Sequence, residues 1–174
     1  LRDFHDIWES IGNKEKYWCI SARCIDSQNG TMIGLPFCEN INDLKGIEKK
    51  KEIAKATGEK CTFRKTDVLA ANPFPVYKTT KFVSEDMIWS KINKEYDQFC
   101  VNNIVRIYHT DGVDGLSKGN MHSREKYYTY YYLSRYVVNE DFERVKYNKK
   151  SLLYLIHLSR CAIEINISYF DVMR

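Results

Sequence analysis

The sequence lacks any run of about 18 uncharged apolar residues, which is close to the minimum that a membrane-spanning helix requires. Near the first residue, Arg2, Asp3 and Asp6 interrupt the stretch in which a signal peptide would have its apolar core. Neither an internal repeat nor a low-complexity linker is found, which excludes solenoids and repeat arrays. We therefore expect a globular protein located in the cytoplasm.

The six cysteines include no Cys-x-x-Cys pair, so zinc-ribbon and thioredoxin-type sites are excluded. Without a secretory signal, reduced thiols are expected rather than three disulfides. Cys19 and Cys100 stand between apolar residues, and we expect most of the thiols to pack as small hydrophobic side chains.

Charge is unevenly distributed along an otherwise ordinary globular composition with 44% hydrophobic residues and a net charge of +4. Residues 45–65 contain eight Lys or Arg and three Glu, a net +5, so the rest of the chain sums to −1. A surface helix with a solvated basic face is the simpler interpretation, and an anionic partner is the alternative. No RRM or OB signature is present, so no nucleic-acid partner is expected.

Apolar spacing predicts a mixed α/β chain with a helical C-terminal part. The turn signal Asn29-Gly30 is followed by residues 31–37, which are predicted as a second strand or an extended return. Three glycines in 110–119 predict a mobile loop. Helices are predicted at 2–12, 43–56, from 66 up to Asn72-Pro73, 85–94, 122–139 and 150–170, and strands at 17–25, 61–64 and 99–108.

The most distinctive feature is the carboxylate pair Glu85-Asp86, which opens a predicted helix behind Ser84, a good N-cap residue. The helix dipole favours negative charge at this end, so both carboxylates should stay ionised. An ionised carboxylate on a rigid helix end can accept a proton from a bound hydroxyl. Acidic residues also occur in first helical turns for stability alone, so the pair by itself leaves both interpretations open.

Five short motifs surround this pair: FRKTDVL (63–69), NPFP (72–75), SEDMIW (84–89), VRIY (105–108) and DGLSKG (114–119). Their order and spacing resemble the second half of family-2 glycosyltransferases with the GT-A fold. The resemblance covers roughly residues 1–130. It implies a partial, Rossmann-like GT-A acceptor half with a short mixed sheet in residues 1–120, followed by a helical extension in 121–174.

The resemblance also implies a reaction: transfer of a sugar from a nucleotide diphosphate sugar to an acceptor hydroxyl, usually with inversion, in polysaccharide or glycan synthesis. Asp86 would be the general base, and Glu85 would orient the acceptor or support the base. Trp89 would stack on a sugar face, although core packing is an equal alternative for this residue. The remaining implied roles are acceptor binding for Arg64 and donor-diphosphate binding for Arg106, His109 and Lys118.

Members of this family hold Mg²⁺ or Mn²⁺ through an Asp-x-Asp motif, which this sequence lacks, as it lacks the first nucleotide-binding βαβ units. Residues 2–12 resemble the helix that follows that motif. We therefore expect the acceptor-side part of a longer enzyme, with no metal bound by this chain alone and no transferase activity of its own. The expected partners of the full enzyme are a nucleotide-sugar donor and a carbohydrate or lipid-linked acceptor.

Tyrosine is abundant, and six of the 13 tyrosines lie in 127–136, where a helix would direct them to all sides. Packing between elements is the simpler interpretation; carbohydrate stacking, membrane-interface contact and self-association stay open. Residues 151–170 are predicted as a helix docked on its own domain or, second, as an interfacial helix at the inner face of a membrane. An exposed sheet edge would permit a homodimer. A non-catalytic, basic and tyrosine-rich module that binds carbohydrate, phosphate or protein is the alternative function.

Overall fold

The computed structural model describes residues 2–80, 82–109, 124–140, 149–168 and 171. These residues form mixed α/β structure with one small mixed sheet and several helices, as the apolar pattern predicts. The α-helices are α1 (Arg2–Ser10), α2 (Gly46–Lys55), α3 (Thr66–Ala71), α4 (Asp86–Glu95), α5 (Arg124–Glu140) and α6 (Lys149–Glu164), and the strands are β1 (Tyr17–Asp26), β2 (Lys60–Arg64) and β3 (Asp97–Tyr108). A short 3-10 helix, Lys14–Lys16, precedes β1.

The chain folds as two compact units, and each is interrupted in sequence by the other. The described part of the first unit is 2–72 and 92–109, and it holds the sheet. The described part of the second unit is 73–80, 82–91, 124–140, 149–168 and 171. Helix α4 begins in the second unit and ends in the first. The domain boundary predicted at residue 120 and the loop predicted at 110–119 lie outside the described residues.

The sheet has the order β2-β1-β3, so β1 is its central strand. Strand β1 pairs antiparallel with β2, where Cys19 faces Arg64, and parallel with β3, where Ser21 faces Cys100. Its first eight residues are all buried, as expected for a strand covered on both faces and paired on both edges. The parallel pairing shifts in register between Ser21 and Arg23, where the ladder is locally irregular.

Helix α1 contributes to the core of the first unit through residues at helical spacing. Phe4 is buried with Ile20 of β1, and Ile7 and Trp8 pack against the same cluster half-buried. The ring of Phe4 also stacks on Phe63 of β2, with centroids 5.7 Å apart. The amphipathic pattern therefore predicted α1 correctly, although the helix ends at Ser10 rather than at residue 12.

The segment after the β1 turn is an extended return, held by a side chain. Arg23 of β1 is completely buried, and its guanidinium donates to the carbonyls of Ile33, at 2.6 Å, and Leu35. The only strand-like contact of this return within the described residues is an isolated bridge from Ile25 to Met32. Burial lowers the pKa of Arg23, because the buried cation has left water.

Helix α2 carries basic residues, but two lysines of the basic segment 45–65 make contacts within the fold. Lys49 is buried, with Nζ 3.6 Å from Oδ2 of Asp97 and 5.3 Å from the ring centroid of Tyr17. Lys60 donates to three carbonyls just beyond the helix, at 2.6 to 2.9 Å. Part of the local +5 charge is thus used for structure and is not presented to solvent.

The second unit has its core between α5 and α6. Tyr131 of α5 is buried with Leu158, Cys161 and Ala162 of α6. Asn166 then takes a left-handed conformation with φ 59°, and the N–H of Ile167 donates to the carbonyl of Ala162 at 2.9 Å, which closes the helix end.

All six cysteines are free thiols, which agrees with the expected reduced state. Four of them are buried as expected, and Cys38 and Cys61 are half-buried. Within the described part of the chain, no helix combines the length and the apolar character that crossing a membrane requires.

Candidate functional site

The carboxylate pair stands at the start of α4. Asp86 is the first helical residue, one later than predicted, and Glu85 immediately precedes it. The carbonyl of Glu85 accepts the backbone N–H groups of Ile88 and Trp89, both at 3.0 Å, which opens the first turn. Both carboxylates are exposed and lie at the end of the helix that favours negative charge.

The apolar face of α4 fixes this helix end in place. Met87, Ile88 and Ile92 are buried, and their spacing puts them on one side of the helix. Because the buried side chains follow the carboxylates directly, the position of Glu85 and Asp86 is tied to core packing and not to a loop. Such support is what a group that must meet a substrate with fixed geometry needs.

Trp89 connects the carboxylate pair to an aromatic neighbour. Its indole Nε1–H donates to Oε2 of Glu85 at 3.1 Å, and its ring meets Phe74 edge to face, with centroids 5.7 Å apart. The side chain is half-buried. Trp89 thus both fixes the carboxylate of Glu85 and supports the aromatic residue beside it.

An open pocket of about 630 Å³ adjoins this arrangement. Its wall is mostly apolar and aromatic, while hydroxyl and carboxylate groups supply a small number of polar atoms. This composition is typical of a site for a small organic molecule, and aromatic rings with nearby hydrogen-bonding groups suit the faces of sugars. The lining residues are Phe74, Pro75, Val76, Tyr77, Thr80, Phe82, Val83 and Glu85.

Contacts with α5 support the pocket wall. Tyr77 stacks on Tyr132, with parallel rings and centroids 3.7 Å apart, and the hydroxyls of Thr79 and Tyr132 lie 2.9 Å apart. Burial, and then the nearby Tyr132 side chain, raise the pKa of Tyr77.

A second support of the wall is a small hydroxyl network. The Oγ1 atoms of Thr80 and Thr129 lie 2.9 Å apart, and both hydroxyls bond to the carbonyl of Phe82 at 3.0 Å. Thr129 belongs to α5, so this helix holds the wall at two separate places. The wall is therefore held in place by specific contacts with α5, although it has no regular secondary structure.

Three of the remaining predicted site residues, Arg64, Arg106 and His109, belong to the first unit. Arg64 is the half-buried last residue of β2. Arg106 near the end of β3 is exposed, with a guanidinium nitrogen 3.9 Å from Oε1 of Glu59 and its guanidinium 5.1 Å from the ring centroid of Tyr108. His109 follows β3 and is exposed. Lys118 lies outside the described residues.

No group of three or more His, Cys, Asp and Glu side chains suited to a metal ion occurs in the described ranges. The ion that the family resemblance implies would have its ligands in the Asp-x-Asp motif that this sequence lacks.

Comparison with protein-family models, curated proteins and solved structures found no match for this chain.

The sequence motifs did not identify most of the pocket. Tyr77, Thr80 and Phe82 were not predicted as site residues, nor was Tyr132 as the support of the wall. The available signals were the motif Asn72-Pro-Phe-Pro75, which interrupts regular structure, and the tyrosine run in 127–136. Neither signal shows which tyrosine meets which segment.

Proposed function

We propose that this chain is the acceptor-side part of a glycosyltransferase of family 2 with the GT-A fold. The reaction is the transfer of a sugar from a nucleotide diphosphate sugar to an acceptor hydroxyl, with inversion, in glycan or polysaccharide synthesis. Asp86 is the general base. Trp89 helps to bind the acceptor. Acceptor binding by Arg64 and donor-diphosphate binding by Arg106, His109 and Lys118 stay predictions from the family resemblance.

The observation that carries the proposal is the aromatic pocket that extends to the carboxylate pair. Phe74, Tyr77 and Phe82 supply flat apolar surfaces, and Glu85 lines the same pocket next to Asp86. A sugar bound on these rings would lie beside the Glu85 carboxylate, which Asp86 follows in the chain. The pocket and the proposed base Asp86 are thus close in the chain, and contacts with α5 hold the pocket wall in place, as an acceptor site requires.

The two carboxylates have different surroundings, and this supports different roles. Glu85 accepts the Trp89 indole N–H, so one of its oxygens is engaged and its orientation is fixed. Asp86 is exposed at the first helical position. We assign proton acceptance to Asp86 and orientation of the acceptor to Glu85.

The chemical step balances with these groups. The acceptor hydroxyl gives its proton to the carboxylate of Asp86 while its oxygen forms a bond to the anomeric carbon of the donor sugar. The bond from that carbon to the nucleotide diphosphate breaks, and the leaving group takes the electron pair. Attack opposite the leaving group inverts the anomeric centre.

The test uses the enzyme that contains this chain together with its donor-binding half. Asp86→Asn should reduce nucleotide release from the sugar nucleotide by about 10²–10⁴-fold, the usual contribution of a general base. Asp67→Asn is the matched control, because Asp67 is also an exposed carboxylate in the first turn of a helix, α3. The control should stay within about twofold of the wild type.

Retention of activity in Asp86→Asn, with melting temperatures equal in all three proteins, would refute the role of Asp86. Nucleotide release by the 174-residue chain alone would refute its assignment as the acceptor side of a longer enzyme.

A carbohydrate-binding module without catalysis is the second candidate, and the rigid support of the pocket by Tyr132 favours it. A module would bind saccharide equally well with Asp86→Asn, and the protein that contains it would release no nucleotide. Intrinsic tryptophan fluorescence, with Trp89 adjoining the pocket, measures saccharide binding in both proteins.

A further inference from the structure

Helix α6 exposes a row of large aliphatic side chains. Leu152, Leu153, Ile156 and Ile163 are 51%, 52%, 57% and 74% exposed. Residues 152, 156 and 163 follow the spacing i, i+4, i+11, so they share one side of the helix, and Leu153 borders them. We call these four side chains the outer face of α6.

The outer face is opposite to the side with which α6 packs on its own unit. Leu158, Cys161 and Ala162 are buried against Tyr131 of α5. Helical geometry places them about 180–280° around the axis from Leu152, whereas Ile156 and Ile163 lie within about 40° of it. The helix is therefore apolar on two sides, and only one of them contributes to the core of the unit.

The polar residues of α6 complement an anionic surface. Lys149 and Lys150 begin the helix, and Arg160 lies near the outer face. With these three basic residues and one acidic residue, Glu164, the helix carries a net charge of +2. Tyr130 of α5 is 47% exposed, and its ring lies 6.4 Å from that of His157. An apolar face bordered by basic groups and a tyrosine matches the order of a lipid interface, with acyl chains below and charged headgroups above.

The dimensions favour a helix that lies flat on a membrane. From Leu152 to Ile163 the outer face extends roughly 16 Å along the axis, about half the thickness of the hydrocarbon core. A stable interface with a second copy of the chain would bury about 800 Å² on each partner. The four aliphatic side chains of the outer face, with Arg160 beside them, provide only part of such an area.

We propose that the outer face of α6 binds at the interface of a membrane that contains acidic lipids. The apolar side chains insert at the level of the headgroups and upper acyl chains, and the exposed Arg160 meets the lipid phosphates. This inference does not depend on the proposed transferase function, because it rests on α6 alone and its readout is binding.

The experiment measures flotation of the 174-residue chain with vesicles of phosphatidylcholine alone or with about one third phosphatidylglycerol. Binding is expected to the acidic vesicles. The variant Leu152→Ser/Ile156→Ser/Ile163→Ser should reduce the partition coefficient at least about tenfold. The matched control Ile104→Ser/Ile107→Ser removes aliphatic side chains of similar exposure, 49% and 60%, from β3 and should bind like the wild type.

A charge variant separates lipid attraction by α6 from attraction by α2. Arg160→Gln should weaken binding by about fivefold, and Lys50→Gln/Lys51→Gln on the exposed side of α2 should have less effect. Absence of binding to acidic vesicles, or equal binding by the triple serine variant, would overturn the proposal. Loss of a dimer in sedimentation equilibrium of the triple variant, without any vesicle binding by the wild type, would assign the face to a second copy.

Discussion

The indole N–H of Trp89 donates a hydrogen bond to Oε2 of Glu85, one helical turn earlier, at 3.1 Å. The same indole ring meets Phe74 in the wall of the pocket. A single side chain therefore links the orientation of a carboxylate to the position of an aromatic surface. In an acceptor site, this link would align the hydroxyl and the sugar ring together.

Replacement of Trp89 by Phe separates these two contributions. Trp89→Phe retains a ring that can meet Phe74 but removes the N–H that fixes Glu85. In the enzyme that contains this chain, kcat/KM for the acceptor is expected to fall about tenfold, equivalent to about 1.4 kcal/mol. Trp8→Phe, a half-buried tryptophan in the first unit, is the control and should leave kcat/KM unchanged. A Trp89→Phe enzyme with wild-type kcat/KM would show that the hydrogen bond has no role in positioning.

The ion pair between the buried Lys49 and the half-buried Asp97 should respond asymmetrically to mutation. Asp97 also lies 3.1 Å from Nζ of Lys16, so it keeps a cationic partner when Lys49 is replaced. Lys49→Met should change the free energy of unfolding by no more than about 1 kcal/mol, because an apolar chain suits the buried position.

Asp97→Asn should cost about 2–4 kcal/mol, because it leaves Lys49 buried without a carboxylate. Urea unfolding of both variants measures the difference. Equal losses, or a larger loss for Lys49→Met, would mean that packing of the lysine stem outweighs the charge.

Two glycines in the first unit have no room for a side chain. Gly34 and Gly58 have φ 72° and 84°, and a Cβ on either one would meet the backbone of the other's segment. Gly34→Ala should therefore destabilise the fold by about 2–4 kcal/mol, from strain and clash together.

Gly30→Ala is the control, because Gly30 has φ 66° but open space around it, and it should cost about 1 kcal/mol. Thermal unfolding compares the two variants. Similar losses in both would show that the backbone near Gly34 relaxes at little cost.

The buried thiols should lower stability at alkaline pH. Burial raises the pKa of Cys100 to about 12, and it also raises the pKa of Cys19. The folded state then holds protons that the unfolded state releases above about pH 9, so this contribution is complete below pH 9 and is lost as the pH rises toward 12.

The free energy of unfolding should thus fall between pH 9 and 12, less steeply in Cys100→Ala. In native protein at pH 8, iodoacetamide should label the half-buried Cys38 and Cys61 before the buried Cys19 and Cys100. Mass spectrometry of the labelled peptides checks the order, and early labelling of Cys100 would contradict its burial.

Local pattern was enough to predict the elements but not all of their ends. Strand β1 was predicted as 17–25 and spans Tyr17–Asp26, because aromatic and apolar residues fill it. Helix α2 was predicted from 43 and begins at Gly46. The reason is a contact distant in sequence: the amide of Asn42 bonds both the N–H and the carbonyl of Cys100, at 2.9 and 2.8 Å, and holds the chain out of the helix.

For the candidate site, sequence reasoning located the carboxylates but not the pocket. Glu85 and Asp86 could be placed at a helix start because caps and dipoles act within one turn. The pocket wall depends on the stacking of Tyr77 on Tyr132, which are 55 positions apart, and no local spacing specifies that pairing. The burial of Lys49 was missed for the same reason, because its partner Asp97 is also distant in the sequence.

The sheet order has a consequence for synthesis on the ribosome. Strand β1 can pair with β2 as soon as Arg64 has emerged, but its other edge belongs to β3. Tyr108 is translated 82 residues after Asp26 (108 − 26), which takes roughly 4–16 s at about 5–20 residues per second. For that interval the most apolar strand of the nascent chain offers an open edge, so this is the period in which chaperone binding would matter most.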